Sequence, residues 1–336
     1  MVARGGTVAK KRLLSGMQPT GVLHLGNLEG ALRQWVRLQD QYEMFCCIVD
    51  WHALTTLYDR TGEVAPAARQ VAAEYIAAGL DPERCAIFLQ SHVKEHAELH
   101  LLLSMVTPLG WLERVPTYKE KRENLNLNEE SVSYGFLGYP VLMAADILAY
   151  RAQAVPVGKD QVPHLEIARE IARRFNHLYG EVFPEPQALV DEGTAVVPGL
   201  DGRKMSKSYG NAIYVSDDAD TVARKVGEAF TTPTKVRRTD PGVPEKCVVC
   251  QLRRVYDPNG YETSWEEDRR GKRGCVQNKR ELAEVLNAAL EPLRRRRAEL
   301  LQDPAQLERY LEQGAERARA AASDTMRAVR AAMKLA

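Results

Sequence analysis

Four short apolar runs recur between helix-like stretches in the first half of the chain, and this alternation limits the folds open to it. The runs are Arg12 to Gln18, Met44 to Asp50, Cys85 to Ser91 and Ala154 to Gly158. Each is apolar along most of its length rather than alternating, as strands covered on both faces should be. Between the second and third, Pro66 to Leu80 is alanine-rich and carries Val71, Tyr75 and Ile76. It stops at Gly79 and Asp81-Pro82, a good helix terminator. Strands alternating with helices predict an α/β fold with a doubly wound parallel sheet. Such sheets bind ligands beyond the carboxyl ends of their strands, where the topology switches. Gln18, Asp50-Trp51-His52 and Gly158-Lys159-Asp160-Gln161 all fall at strand ends, so they are expected to converge on one place.

With 336 residues the chain has room for two domains and a sizeable core. Residues 12–212 are expected to form the sheet domain. A helical insertion is expected over about 92–128, with Glu120 between Lys119 and Lys121. From about Val215 no strand pattern returns, and Thr221 to Phe230, Lys279 to Leu301 and Gln306 to Met333 read as helices. The last of these repeats Leu307, Leu311, Ala315, Ala318, Ala322, Met326, Val329 and Met333 at steps of three and four. Residues 213–336 are therefore expected to be a smaller all-helical domain. Residues 1–11 read as a basic, disordered extension. No long apolar stretch follows them, which speaks against a secretion signal or anchor. No run of 18 apolar residues exists, so no transmembrane helix is expected and the cytoplasm is the default location.

The formal charge of +1 announces no overall basic field, so any RNA contact must use local patches. Six cysteines in a chain this long do not make a disulfide framework. Cys46, Cys47 and Cys85 sit in apolar runs and are expected to be buried. Cys247, Cys250 and Cys275 have no histidine near them, since none lies beyond His177. A four-ligand metal site therefore lacks a fourth ligand close in sequence, and no metal-ligating residue is assigned.

Two motifs carry chemistry. Near the N-terminus, Ser15-Gly16-Met17-Gln18-Pro19-Thr20-Gly21-Val22-Leu23-His24-Leu25-Gly26-Asn27 runs from the first strand through a turn. It leads into Leu28, Leu32, Trp35, Val36 and Leu38 at helical spacing. His24 to Asn27 thus lie at a helix opening, where exposed N–H groups and the helix dipole favour phosphate. Gly26 leaves the backbone open to a nucleotide, and His24 and Asn27 can each donate to phosphate oxygens. Far along the chain, Lys204-Met205-Ser206-Lys207-Ser208 follows a glycine-rich turn, Gly199-Leu200-Asp201-Gly202. It suits a mobile loop that brings two ammonium groups onto a polyphosphate.

A third stretch suits an aromatic ligand. Tyr139-Pro140 starts a helix, with proline placed for the first turn. Tyr139, Met143 and Asp146 share one of its faces: an aromatic wall, a soft apolar floor and one carboxylate. An aspartate among apolar residues is costly without a donor. An indole N–H is such a donor, and nothing else on that ring is polar.

Together the two motifs resemble the paired signatures of the class I aminoacyl-tRNA synthetases, which have a Rossmann-like catalytic domain. His-Leu-Gly-Asn stands for His-Ile-Gly-His, with Asn27 in place of the second histidine, and Lys-Met-Ser-Lys-Ser matches the other signature at every position. Tyr139 to Leu148, followed by Val155-Pro156-Val157-Gly158-Lys159-Asp160-Gln161, resembles the tryptophanyl-tRNA synthetase family in particular. Tyrosyl enzymes often carry Gln where Met143 stands.

The resemblance implies roles for matching positions. Gln18, Pro19, Thr20, Gly26 and Asn27 would contact ATP, and Lys121 would reach its phosphates. Asp146 would bind the indole nitrogen, with Leu14, His52, Tyr139, Met143, Val155 and Val157 lining the pocket and Gln161 at the amino-acid end. Gly158, Lys159 and Asp160 would hold the nucleotide, although Lys159 replaces a common acidic residue. Val197 would touch adenine. Lys204, Met205, Ser206, Lys207 and Ser208 would close on the pyrophosphate, with His24, Asn27, Lys121 and one Mg²⁺ stabilising charge. Some relatives carry an iron–sulfur cluster in the helical domain. Cys247 and Cys275 match two of its four positions, Asp268 and Asn278 occupy the others, and Cys250 is extra. No cluster is expected, because four thiolates normally hold one.

The implied reaction joins L-tryptophan to ATP as tryptophanyl-adenylate, then transfers the acyl group to tRNA(Trp), in a homodimer across which one tRNA spans. Arg294 to Arg297 could meet tRNA phosphates or could be a solvated helix face. A tyrosine-specific enzyme and a tryptophan- and ATP-binding partner protein or sensor remain as rival readings at this level.

Overall fold

A computed structural model describes residues 10–115, 132–158, 161–190 and 197–335. Five parallel strands form one sheet in the order β3-β2-β1-β4-β5, with β1 Arg12–Met17, β2 Glu43–Ile48, β3 Ala86–Leu89, β4 Ala154–Pro156 and β5 Gln187–Leu189. The first four correspond to the runs expected from sequence, each shorter at its carboxyl end, with β2 starting one residue earlier at Glu43 and β3 one later at Ala86. β5 was not expected. It is three residues long, lies at an edge and is partly exposed, so it carries almost no apolar pattern. Helices Asp50–Leu57 and Val162–Tyr179 also stand beyond those read from sequence.

The chain winds from β1 outward to β3, then returns to place β4 on the other side of β1. This reversal is the switch point. β1 pairs with β2 over six positions but with β4 only at Leu13–Ala154. Beyond that single pair the two strands share no ladder, and a crevice opens at their carboxyl ends.

Both faces of the sheet are covered, which explains its continuously apolar strands. Leu13 and Cys46 point into a layer with Leu32, Trp35, Val71 and Tyr75; Leu14 and Cys47 point into another with Leu99, Ile147, Leu165 and Phe175. Cys46, Cys47 and Cys85 are fully buried. Packing is continuous across residue 213. Leu282, Leu286 and Leu290 of helix Cys275–Gln302 join the first layer.

The last helix, Pro304–Ala332, returns to the sheet and lies against β3. Arg317 donates to the carbonyls of Glu83 and Cys85, and Arg330 donates to Glu98. The helix comes so close that a Cβ on Gly314 would sit 2.0 Å from the Ile87 carbonyl oxygen. Alanine normally stabilises a helix interior by about 1 kcal/mol over glycine. Here the contact is with backbone, and we expect Gly314→Ala to cost about 2 kcal/mol through overpacking. Gly227→Ala, which meets nothing within 4 Å, should be neutral or stabilising. Urea unfolding of the two variants checks the contrast.

Candidate active site

The crevice between β1 and β4 is a cavity of about 430 Å³. Leu14, Met17 and Gln18 line it from β1 and its end, and Val155, Val157 and Gly158 from β4 and its end. Tyr139, Met143, Asp146 and Ile147 come from the helix Tyr139–Ala149, whose Pro140 lies in the first turn. His52, Gln161, His164 and Trp35 complete the wall. His52 packs edge-on against Tyr139, with ring centroids 4.7 Å apart. The expected amino-acid pocket is thus one space.

Asp146 is 3% exposed and is the only carboxylate among the described residues of this lining. Its Oδ1 accepts from Gln90 Nε2 at 2.7 Å and from His96 Nδ1 at 2.6 Å. Its Oδ2 accepts from His52 Nε2 at 2.8 Å. Burial alone would push this carboxyl up, but His52 and His96 overcome it and hold the group well below the usual carboxylate range. Asp146 is therefore an anion, an acceptor with no proton of its own. Gln90 also accepts from the Trp51 and His52 N–H groups, which ties the opening of helix Asp50–Leu57 to the same carboxylate.

A second, shallower cleft adjoins the first through Met17 and Gln18, which line both. Thr20, Leu23, His24 and Asn27 form one wall, and Ser206, Lys207 and Ser208 the other. The two motifs, far apart in sequence, therefore face each other. Gly21 takes φ +109°, which favours glycine, and its carbonyl accepts from Lys207 Nζ at 3.0 Å. The loop is stapled by Asn211, which accepts from the Ser206 N–H and donates to Asp201 and the Lys204 carbonyl. Met205 is buried, while Lys204 and Ser208 are exposed.

His24 and Asn27 cap the helical turn reciprocally. The Asn27 N–H donates to His24 Nδ1, and the His24 N–H donates to Asn27 Oδ1. His24 Nε2–H is left as the ring's donor. A π-helical turn, Leu28–Leu32, follows directly. The space left by Gly26 is filled by the His24 ring, 2.9 Å from where a Cβ would sit, with Met205 beyond it. The glycine lets His24 fold over the turn, a nearer cause than the approach of a nucleotide expected from sequence.

Burial, and then the charges of Lys207 and Lys204, lower the His24 pKa to about 4. Unfolded His24 would take up its proton near pH 6.5. Between these values the unfolded state binds more protons, so stability falls as pH drops from about 6.5 to 4. We expect His24→Asn to weaken that slope, measured as the difference between variant and parent in urea unfolding at pH 4.5 and 7.

Other expected residues fall as follows. Pro19 is buried and Thr20 exposed. Val197 is buried in the same apolar cluster as Met205. Lys121, Lys159 and Asp160 lie outside the described residues. Arg294 to Arg297 is not a free basic strip: Arg294 donates to the Asp217 carbonyl and Arg297 pairs with buried Glu74. Glu74 also accepts from the Leu23 N–H beside His24. Cys247 and Cys250 are buried, Asp268 pairs with Lys235 at 2.9 Å, and Asn278 bonds to Arg253 and Cys250. Sequence reasoning missed Gln90, His96, Trp35, Ile147 and His164. Gln90 ends a strand that was recognised, and that position was its signal. His96 gave none, since it lies within a stretch read only as an insertion.

An apolar cavity with a buried carboxylate thus opens onto a cleft walled by His24 and Lys207. Residues 8–291 match the model of the family described as tRNA synthetases class I (W and Y). A tryptophan–tRNA ligase of Thermotoga maritima is 47% identical over 96% of this chain and 99% of its own. One from Aquifex aeolicus is 42% identical over 96% of this chain and 100% of its own. The crystal structure of a tryptophanyl-tRNA synthetase from Campylobacter jejuni, complexed with ADP and tryptophan, superposes with TM-score 0.88. It is 38% identical and covers 96% of this chain and 100% of its own. The chain belongs to the class I tRNA synthetase family for W and Y, on its tryptophanyl side.

Proposed function

We propose that this chain is a tryptophan–tRNA ligase that activates L-tryptophan with ATP and charges tRNA(Trp), releasing AMP and pyrophosphate. One observation carries the reading: a buried, ionised Asp146 at the floor of an apolar cavity whose mouth meets the cleft between His24 and Lys207. The carboxylate of tryptophan attacks the α-phosphorus of ATP, and the bond to pyrophosphate breaks. No enzyme nucleophile is needed, so catalysis is positioning and charge stabilisation. The indole N–H donates to Asp146, Tyr139, Met143, Val155, Val157, Leu14 and His52 enclose the ring, and Gln161 faces the amino-acid end. Gln18, Pro19, Thr20, Gly26, Asn27, Gly158, Lys159, Asp160 and Val197 hold the nucleotide. Lys204, Lys207, His24, Asn27 and Lys121 meet the phosphates. Mg²⁺ would enter with those phosphates, held by their oxygens and by water.

The helical segment after residue 213 is the candidate tRNA-binding domain. Within it Arg237, Arg238 and Arg280 line a cleft of about 540 Å³, a better phosphate surface than the engaged Arg294–Arg297 run. The exposed Leu101, Met105, Leu109 and Tyr134 support a homodimer. Tyr134 and His100 both approach Gly138, which brings the 134–137 turn against the helix that carries Leu101. We expect Met105→Asp to convert the dimer to monomer in light scattering. Among the described residues no helix is long and apolar enough to cross a membrane, and protein synthesis in the cytoplasm is the proposed setting.

The test is pyrophosphate exchange into ATP with tryptophan or tyrosine. Tryptophan-dependent exchange, followed by acylation of tRNA(Trp), supports the reading. No exchange with either amino acid would leave the sensor or partner reading, and exchange with tyrosine alone would show the pocket misread.

A further inference from the structure

Asp146 carries more donors than substrate binding requires. Each carboxylate oxygen offers two lone pairs. Gln90 and His96 use both on Oδ1, whereas His52 uses one on Oδ2. Among the described residues, one Oδ2 lone pair is left for a ligand.

His52 belongs to the cavity wall, but His96 does not. It is fully buried behind the carboxylate, on helix Glu95–Ser104. Its Nε2 lies 2.5 Å from Tyr150 Oη. Tyr150 is itself fully buried, stacked on Phe45 of β2 at 4.3 Å and edge-on to Phe88 of β3 at 5.7 Å. The chain of bonds therefore ends in a ring clamped against the sheet. Burial pushes the Tyr150 phenol far up, so it keeps its proton and can donate to His96 Nε2. That sets the tautomer in which Nδ1–H points at Asp146.

The torsion that turns a carboxylate is broad and has no sharp rotamer of its own. Its angle must come from the bonds it accepts. We propose that Tyr150 and His96 are positioning residues that saturate Asp146 Oδ1 and turn its remaining Oδ2 lone pair toward the indole N–H, making them determinants of amino-acid specificity that never touch the substrate. The inference rests on Asp146 being the indole acceptor.

The test compares tryptophan with 3-(benzothiophen-3-yl)alanine, in which sulfur replaces the N–H. Pyrophosphate exchange gives kcat/KM for each, and the ratio isolates the N–H contact. His96→Leu should lower kcat/KM for tryptophan about thirtyfold and for the sulfur analogue about threefold or less. Tyr150→Phe should shift the ratio the same way by about threefold, and His96→Asn, which keeps a donor near the Nδ1 position, should restore most of it. Equal losses with both amino acids, in folded variants, overturn the relay. If His96→Leu does not fold, Tyr150→Phe decides alone. Asp146→Ala separates the layers. If it collapses the ratio while His96→Leu and Tyr150→Phe leave it intact, only the relay fails. If it too leaves the ratio intact, the indole-acceptor reading has failed.

Discussion

Replacing Asp146 with alanine is expected to lower kcat/KM for tryptophan-dependent exchange by about a thousandfold, on the order of 4 kcal/mol. Two losses add. The indole N–H would be left buried without an acceptor, and so would the donors of His52, His96 and Gln90, all now aimed at the carboxylate. An orphaned buried donor costs its full desolvation penalty. The same variant should therefore also unfold at lower urea, by about 3 kcal/mol. Circular dichroism establishes that the variant is folded at the assay temperature before the rates are compared. An Asp146→Ala enzyme that keeps tryptophan activation within tenfold of the parent would show that the carboxylate organises the core and does not read the substrate.

Lys207→Ala should have the other large effect, of a different kind. In this structure the ammonium donates to the Gly21 carbonyl across the cleft, and burial draws its pKa below the ordinary lysine value despite the opposing charge of Glu74. The group is held beside the site where the leaving pyrophosphate would carry charge. As the proposed phosphate clamp it would act in the transition state, so kcat for adenylation should fall by about a hundredfold or more. KM for tryptophan should move by about threefold or less, since the cavity is lined without Lys207. Equal losses in rate and tryptophan affinity would contradict a phosphate clamp.

Much of the sheet was legible because its strands are buried on both faces, so hydrophobicity alone marked them. β5 escaped because a three-residue edge strand has little to bury. The motifs at the strand ends were legible as well. The structure brings Gln18 of the first apolar run and Lys207 of the second motif to one cleft across a long stretch of sequence. What stayed hidden were contacts that depend on three-dimensional geometry. Nothing in the sequence links His96 to Asp146, and nothing reveals that the Gly26 position is taken up by the His24 ring. The arginine run shows the same limit. Its charge was plain, yet its engagement with Asp217, Asn287 and Glu74 depends on elements far away in the chain.

The seating of helix Pro304–Ala332 on β3 bears on how the molecule is made. A ribosome delivers that helix after every strand of the sheet, so the outer strand stays uncovered until the helix has emerged. The sheet comes first in the chain, yet its packing is completed only when this helix docks. A prematurely terminated product would present β3 as an open edge, the template on which chains pair wrongly and aggregate. A chain that breaks off before helix Pro304–Ala332 is therefore expected to be a poor folder and a target for degradation, because the outer strand it leaves bare has no other cover of that size.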